Sequence, residues 1–416
     1  MTVSIKKICV VGLGYIGLPT AAIIASRGIN VVGVDVSERA VNTINEGKIH
    51  IVEPDLDMVV QAAVTTGKLK ASLSAEEADV FMIAVPTPFT GDKKPDLSYI
   101  AAAAKSIAPF LKQGNTVILE STSPVGATEQ LSEWLSEERK DLKFPHDNAD
   151  SPDVFVAHCP ERVLPGHVLR ELVENDRVIG GISEQCSEKA KQVYQSFVRG
   201  ECIVTNSRTA ELAKLTENSF RDVNIAFANE LSMICDKLSI NVWELIKLAN
   251  RHPRVNILNP GPGVGGHCIA VDPWFIVDSV PEKARLIRTA REVNESKPDY
   301  VIEQIIAAAE DFKRPVIACL GLAFKADIDD LRESPALEIT RALAETGSAE
   351  VLAVEPNITE LHEKLKGKVE LVSLSEALER CNVMAVLVDH RQFKQLSMEK
   401  LARKIVIDTR GLLTVQ

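Results

Sequence analysis

Three glycines at fixed spacing, Gly12-Leu-Gly14-Tyr15-Ile16-Gly17, follow the β-type run KICVV (7–11) and open an apolar helical stretch. This pattern calls for a strand–turn–helix unit. Gly12 permits the tight turn, Gly14 lets a pyrophosphate approach the backbone, and Gly17 lets the helix pack on the strand. Tyr15 and Ile16 lie in the same turn and are expected to line the cofactor. The helix N-terminus faces the negative charge. A second strand, NVVGVD (30–35), ends in Asp35, 18 residues beyond Gly17. An acid there accepts both ribose hydroxyls and repels a 2′-phosphate, so NAD is expected rather than NADP.

The uncharged run at 8–25 follows Lys6 and Lys7 and mimics a signal peptide or a short membrane span. Its glycines and proline, and the strand that follows, favour a soluble α/β unit. Composition agrees: in 416 residues, 45% are hydrophobic and 25% charged, which excludes disorder and leaves room for two or three domains. A net charge of −11 argues against nucleic acid or an anionic membrane as partner. Eight cysteines without a C-x-x-C pair indicate a reducing compartment, and a cytoplasmic location is expected.

Strand-like runs at 7–11, 30–35, 80–85, 116–120, 154–158 and 177–181 alternate with helical patterns, predicting a parallel sheet. A polar loop at 141–153 is expected to be exposed. From 206 one long helix is expected, capped by Asn206 or Ser207. Its apolar stripe is Phe220, Val223, Phe227, Leu231 and Ile234. More helix is expected at 242–250 and 281–311. Five further strands follow at 316–322, 350–355, 369–372, 383–389 and 404–409. The reading is α/β: two Rossmann-like doubly wound parallel-sheet domains joined by a long central helix and helical connector. The expected boundaries are 1–204, 205–312 and 313–416. The two ends share a strand-then-glycine opening.

Other motifs carry chemistry. Thr87 and Thr122 sit where strands end, at the ligand side of an open sheet, though each also reads as an ordinary loop residue. In Asn259-Pro-Gly-Pro-Gly263-Val-Gly265-Gly266-His267-Cys268, four glycines and two prolines make a backbone-lined loop. Converging N–H dipoles there can activate the Cys268 thiol, which otherwise reads as a buried cysteine. Asp272 follows four residues on. Lys214, Asn218 and Arg221 share one helical face, suited to a water or an alkoxide, or simply solvated. Ser334 and Pro335 read as N-cap and first helical residue, flanked by Lys325 and Arg332 as a second phosphate site. Asp327, Asp329 and Asp330 have no neighbouring histidine, so no metal is expected.

In this order, the motifs resemble the UDP-glucose/GDP-mannose dehydrogenase family over essentially the whole chain. They are G-x-G-Y-x-G-L-P, S-T-x-P-x-G, the K-x-x-x-N helix, G-x-G-G-x-C and F-K-x-x-x-x-D-x-R-x-S. Stretches 49–60, 159–166, 205–231 and 259–277 are most similar to members acting on UDP-N-acetyl-D-mannosamine in bacterial surface-polysaccharide synthesis. UDP-glucose members usually read P-E-F where this chain has Pro160-Glu161-Arg162, and the Arg resembles members oxidising UDP-N-acetylhexosamines. The resemblance implies four-electron oxidation of a sugar C6 alcohol with NAD, through a thiohemiacetal and a thioester on Cys268. It implies Lys214 as acid/base or alkoxide stabiliser, Asn218 and Asp272 as water-positioning groups, and Glu161 in the thioester step. Arg162, Val163, Arg221, His252, Arg254, Gly265, Lys325 and Arg332, with Lys214 and Asn218, become sugar or diphosphate contacts. It further implies a homodimer through the central helices, with an arginine near Arg251–Arg254 reaching the partner's site. UDP-GlcNAc, UDP-GalNAc and UDP-glucose remain alternative substrates. A two-electron hydroxyacid dehydrogenase and a non-catalytic NAD-binding regulator remain alternative classes, neither of which needs Cys268.

Overall fold

The computed structural model describes residues 5–163, 166–266, 268–396 and 401–413, and the chain falls into two compact units, Met1–Glu217 and Asn218–Gln416. The first holds an eight-stranded sheet. Its strands are β1 (Lys7–Val11), β2 (Asn30–Val34), β3 (Leu69–Ser72), β4 (Val80–Ile83), β5 (Thr116–Leu119), β6 (Phe155–His158), β7 (Arg177–Gly181) and β8 (Cys202–Asn206). They lie in the order β3-β2-β1-β4-β5-β6-β7-β8. Strands are added on one side of β1 up to β3 and then on the other from β4, and this switch between β1 and β4 creates the crevice where open α/β sheets bind ligands.

Alternation along the strands feeds two cores. Ile8 and Val10 point to one side, against α1 (Gly17–Ser26), α2 (Glu38–Asn45), α3 (Leu56–Thr65), α6 (Val168–Glu174) and α7 (Glu184–Tyr194). Cys9 and Val11 point to the other, against α4 (Ser98–Ile107) and α5 (Ala127–Glu138).

The long helix α8 (Ser207–Leu238) starts where expected, with the Asn206 side chain accepting the Thr209 amide at 2.9 Å. In the second unit α9 (Val242–Ala249), α10 (Asp272–Ser279) and α11 (Arg285–Ala309) precede a five-stranded sheet. That sheet comprises β9 (Val316–Leu320), β10 (Glu350–Val354), β11 (Glu370–Leu371), β12 (Val383–Val386) and β13 (Ile405–Asp408). Its order is β11-β10-β9-β12-β13, all parallel, with α12 (Pro335–Glu345) and α13 (Leu374–Arg380) packed on it.

Three sequence expectations need correction. The first sheet is not wholly parallel: β6 and β7 pair antiparallel, and a buried strand's apolar run carries no sign of its direction. β3 and β8 were not expected, because LKAS and CIVTN are short and partly polar, and α10 was also missed. The 141–153 loop is polar at its tip, but Phe144 within it is 2% exposed and joins the core.

The apolar stripe expected on α8 divides. Phe220 is 67% exposed, Phe227 52% and Ile234 45%, whereas Leu231 of the same stripe packs on a small core shared with α9. The side of α8 that faces α11 is polar, while Ala228 and Cys235 pack against Val242 and Ile246 of α9. Asp222 meets Arg291 at 2.7 Å and Asn294 at 2.8 Å, and the Asn229 amide donates to Asn294 at 2.9 Å. The Lys297 ammonium donates to Ser232 at 2.7 Å, while Tyr300 and Gln304 both donate to Asp236. Burial pushes Lys297 down to about 8. Among the described residues no helix is long and apolar enough to cross a membrane.

Candidate active site

In the first unit the glycine turn has the geometry that its spacing predicts. Gly12 has φ +92°, and a Cβ there would lie 2.6 Å from the Ala84 carbonyl oxygen. A Cβ on Gly17 would sit 1.7 Å from the Gly12 carbonyl oxygen, so the first turn of α1 and the β1 exit can touch only through glycine. A Cβ on Gly14 would have nothing within 4 Å. That open approach is what a pyrophosphate needs. Asp35, half-buried beyond β2, accepts the Leu13 amide at 2.9 Å and the Ser37 amide at 2.8 Å. Tyr15 is 39% exposed at the same turn, and Ile16 is half-buried.

Across the crevice, Ser121 donates to the Val85 carbonyl at 2.6 Å and ties the Thr87 loop to the Thr122 loop. The Thr87 hydroxyl is buried with no hydrogen-bond partner among the described residues, which marks a polar position suited to a ligand. These features fit a bound dinucleotide.

Glu161 is 6% exposed and forms an ion pair with Arg177, itself 1% exposed, at 2.6 Å. Its other oxygen accepts the Arg162 amide at 2.6 Å. Nearby, Glu120 accepts from the Tyr194 hydroxyl at 2.7 Å. Burial, reinforced by the Glu161 charge, pushes Glu120 up to about 7. His158 is fully enclosed, and burial pushes it down to about 3. The Arg162 guanidinium meets Glu217 on α8 at 2.7 Å, and Val163 is half-buried. Leu164 and Pro165 of the same motif lie outside the described residues.

Lys214 is half-buried on α8. One turn earlier Glu211, fully buried, accepts the Gly126 amide at 2.7 Å and the Thr128 amide at 2.8 Å. It thus braces the start of α5, just beyond the Thr122 loop. Sequence reasoning missed Glu211 and Arg177, because their partners lie far away along the chain.

In the second unit Asn218 is buried and donates to the Asp272 carboxylate at 2.5 Å. Cys268 is exposed, and its carbonyl accepts the Asp272 amide at 2.9 Å in the turn that starts α10. Cys268, Asp272 and Asn218 are therefore linked in series, by one backbone bond and one side-chain bond. His267 lies outside the described residues. The preceding loop needs its glycines: a Cβ on Gly265 would lie 2.5 Å from the Glu333 carbonyl oxygen, and Gly266 has φ +80°. Arg221, His252 and Arg254 are exposed, the His252 ring accepting the Arg254 amide at 3.3 Å.

A cavity of about 250 Å³ in the second unit is lined by Pro262, Gly263, Phe324, Lys325, Asp389 and Arg410. Lys325 is exposed, and Arg410 meets Asp389 at 2.8 Å. Ser334 caps α12 beside this cavity by accepting the Leu337 amide at 3.4 Å, and Pro335 is the first helical residue, both as expected. Two cations and a helix N-terminus suit a phosphate. Arg332 stands apart, paired with Asp330 at 2.6 Å. Among the described residues no cluster of three or more His, Cys, Asp or Glu could hold a metal.

These features define the class, an NAD-dependent dehydrogenase of nucleotide-bearing substrates. The chain belongs to the UDP-glucose/GDP-mannose dehydrogenase family. The family's NAD-binding domain matches residues 6–198, its central domain 208–296 and its UDP-binding domain 318–415. An NDP-N-acetyl-D-galactosaminuronic acid dehydrogenase of Ralstonia nicotianae is 65% identical, covering 99% of this chain and 97% of that one. A UDP-N-acetyl-D-mannosamine dehydrogenase of Escherichia coli K12 is 60% identical, covering 98% and 99%. Among solved structures, a UDP-D-ManNAc dehydrogenase from Pyrococcus horikoshii superposes with TM-score 0.89 at 39% identity, covering 99% and 97%.

Proposed function

We propose that this chain oxidises UDP-N-acetyl-D-mannosamine at C6 to the uronate, with two NAD consumed per sugar. The observation that carries the reading is the Cys268–Asp272–Asn218 assembly, an exposed thiol one helical turn from a buried carboxylate that a buried amide orients. NAD, when bound, accepts the electron pair of each oxidation. Cys268 adds its sulfur to the C6 aldehyde, giving a thiohemiacetal, and the second oxidation converts this to a thioester. Asp272 and Asn218 position the water that cleaves the C–S bond, releasing carboxylate and restoring the thiol. Lys214 stabilises the developing alkoxide or takes its proton. Glu161, already held by Arg177, assists the thioester step.

Arg162, Val163, Arg221, His252, Arg254, Gly265, Lys325 and Arg332 are assigned to the sugar and diphosphate. The segment 205–312 is taken as the connector and dimer-forming region. The exposed stripe of Phe220, Phe227 and Ile234 supports a homodimer that covers it. We assign the enzyme to the cytoplasm, since eight cysteines with no C-x-x-C spacing suit a reducing compartment, and to surface-polysaccharide synthesis.

The test is an assay of purified protein with NAD and UDP-ManNAc, UDP-GlcNAc, UDP-GalNAc or UDP-glucose, counting NADH per sugar. Two NADH with UDP-ManNAc preferred is the expected result. Preference for UDP-GalNAc, which the 65% identical relative's name favours, would keep the chemistry and change the substrate. Full acid production by Cys268→Ser would overturn the mechanism.

A further inference from the structure

The stretch IHIVEPDLDMVV contains a carboxylate that the mechanism does not use. Glu53 is 5% exposed, and each of its oxygens accepts one backbone amide: Gly166 at 2.9 Å and Val168 at 2.8 Å. Its partners lie 113 and 115 residues away, so the contact joins two otherwise separate segments. A buried carboxylate accepting two N–H groups makes a strong, directional clamp. Gly166 has φ +91°, a left-handed turn that glycine adopts without strain. Val168 is 1% exposed in the core, so the clamp is built on rigid ground.

The stretch from Glu161 to Val168 carries Arg162 and Val163, and Leu164 and Pro165 within it lie outside the described residues. Its leading end is fixed by the Glu161–Arg177 pair and by Asn175, whose amide donates to the Arg162 carbonyl at 3.2 Å. Its trailing end is fixed by Glu53. Two buried carboxylates therefore bracket the residues assigned to the sugar.

We propose that Glu53 is a positioning residue for sugar recognition: by clamping the backbone at Gly166 and Val168, it sets where Arg162 and Val163 stand. This rests on the proposed function, in which Arg162 reads the N-acetylhexosamine. Glu53 touches no reacting atom. Its effect runs through Arg162, which separates it from a residue that merely supports the fold.

The experiment is a double-mutant cycle of Glu53→Gln and Arg162→Ala, with KM for UDP-sugar and for NAD, kcat and the UDP-ManNAc/UDP-GlcNAc preference measured for each protein. In Glu53→Gln one amide loses its acceptor and faces an NH2 group. The KM for the UDP-sugar should rise about tenfold, the equivalent of one charge-assisted hydrogen bond. The sugar preference should shrink, while kcat and the KM for NAD stay within about twofold. In the Arg162→Ala background the Glu53→Gln effect on sugar KM should largely vanish. Should Glu53→Gln not fold, Glu53→Asp, still anionic but one methylene short, carries the same cycle. Undiminished Glu53 effects without Arg162, or equal rises in both KM values, overturn the inference. Wild-type protein that oxidises none of the UDP-sugars overturns the proposed function and this inference with it. Wild-type turnover with an additive cycle overturns this inference alone.

Discussion

The five strands β3-β2-β1-β4-β5 of the first unit and β11-β10-β9-β12-β13 of the second are ordered alike, and their central turns match in detail. Gly12 and Gly321 have φ +92° and +93°, and each donates its amide to the last residue of the neighbouring strand, Val34 or Val354, at 2.8 Å. An acid follows that neighbour in both. Asp35 accepts the Leu13 amide, and Glu355 accepts the amides of Leu322 and Ala323. The difference lies around the acid. Asp35 is half-buried and borders the fully exposed Val36, whereas Glu355 is enclosed and hydrogen-bonded to the buried His390 ring at 3.0 Å. Burial opposes the Glu355 charge, but His390 and the surrounding amides hold its carboxyl below the ordinary value. One cradle is open to a ribose. The other has closed over its acid and offers instead the Lys325–Arg410 cavity. A shared turn therefore fixes the fold, while access to the acid decides what the sheet can bind.

The comparison can be broken most severely at Gly321, where a Cβ would lie 2.3 Å from that of Val388. Gly321→Ala should cost roughly 4–5 kcal/mol from the left-handed turn and the overlap together, read by urea denaturation. Glu355→Gln removes the charge from a buried acceptor of the Leu322 and Ala323 amides and of the His390 ring, and should cost about 2–3 kcal/mol, without changing NAD affinity. Survival of either variant at wild-type stability would mean that the second cradle is dispensable.

A third test concerns pH. Glu120 follows β5, where Thr409 follows β13, and only the former titrates. Its folded value of about 7 stands above the ordinary 4.5, so the proton favours the folded state. That contribution is whole below pH 4.5 and lost as pH rises through 7, on the order of 3 kcal/mol. Glu120→Gln should flatten the Tm–pH profile over that window. The smallest effect on stability should come from Asp35→Asn, below about 1 kcal/mol. Yet it should weaken NAD binding and relax discrimination against NADP, which titration calorimetry would show.

Much of this was legible in the sequence because it rests on local chemistry. The Gly12–Gly17 turn, the Asn206 and Ser334 caps and the Rossmann strands of both units each depend on neighbours within a few residues. Glu355 was within reach too: EVLAVE ends in an acid just as NVVGVD does, and the shared opening of the two ends was visible. What stayed hidden involves distant partners. Nothing near Glu211 announces Gly126, and nothing near Glu161 announces Arg177. The α8 stripe was visible as a pattern, but periodicity cannot say whether a face meets its own chain or another.

The polar ladder between α8 and α11 has a consequence for mechanical precision. Its rungs climb both helices in the same order, from Asp222–Arg291 to Asp236–Gln304. Two greasy helices could slide by a turn and lose little. Here a one-turn slip would bring Asp222 opposite Glu295, and Lys297 opposite Ala228, leaving a carboxylate without its donors and an ammonium without its acceptor. The ladder thus acts as a vernier with a single coincidence. Asn218, which orients Asp272, lies one turn before its first rung, so its height along the bundle is indexed to the same mark.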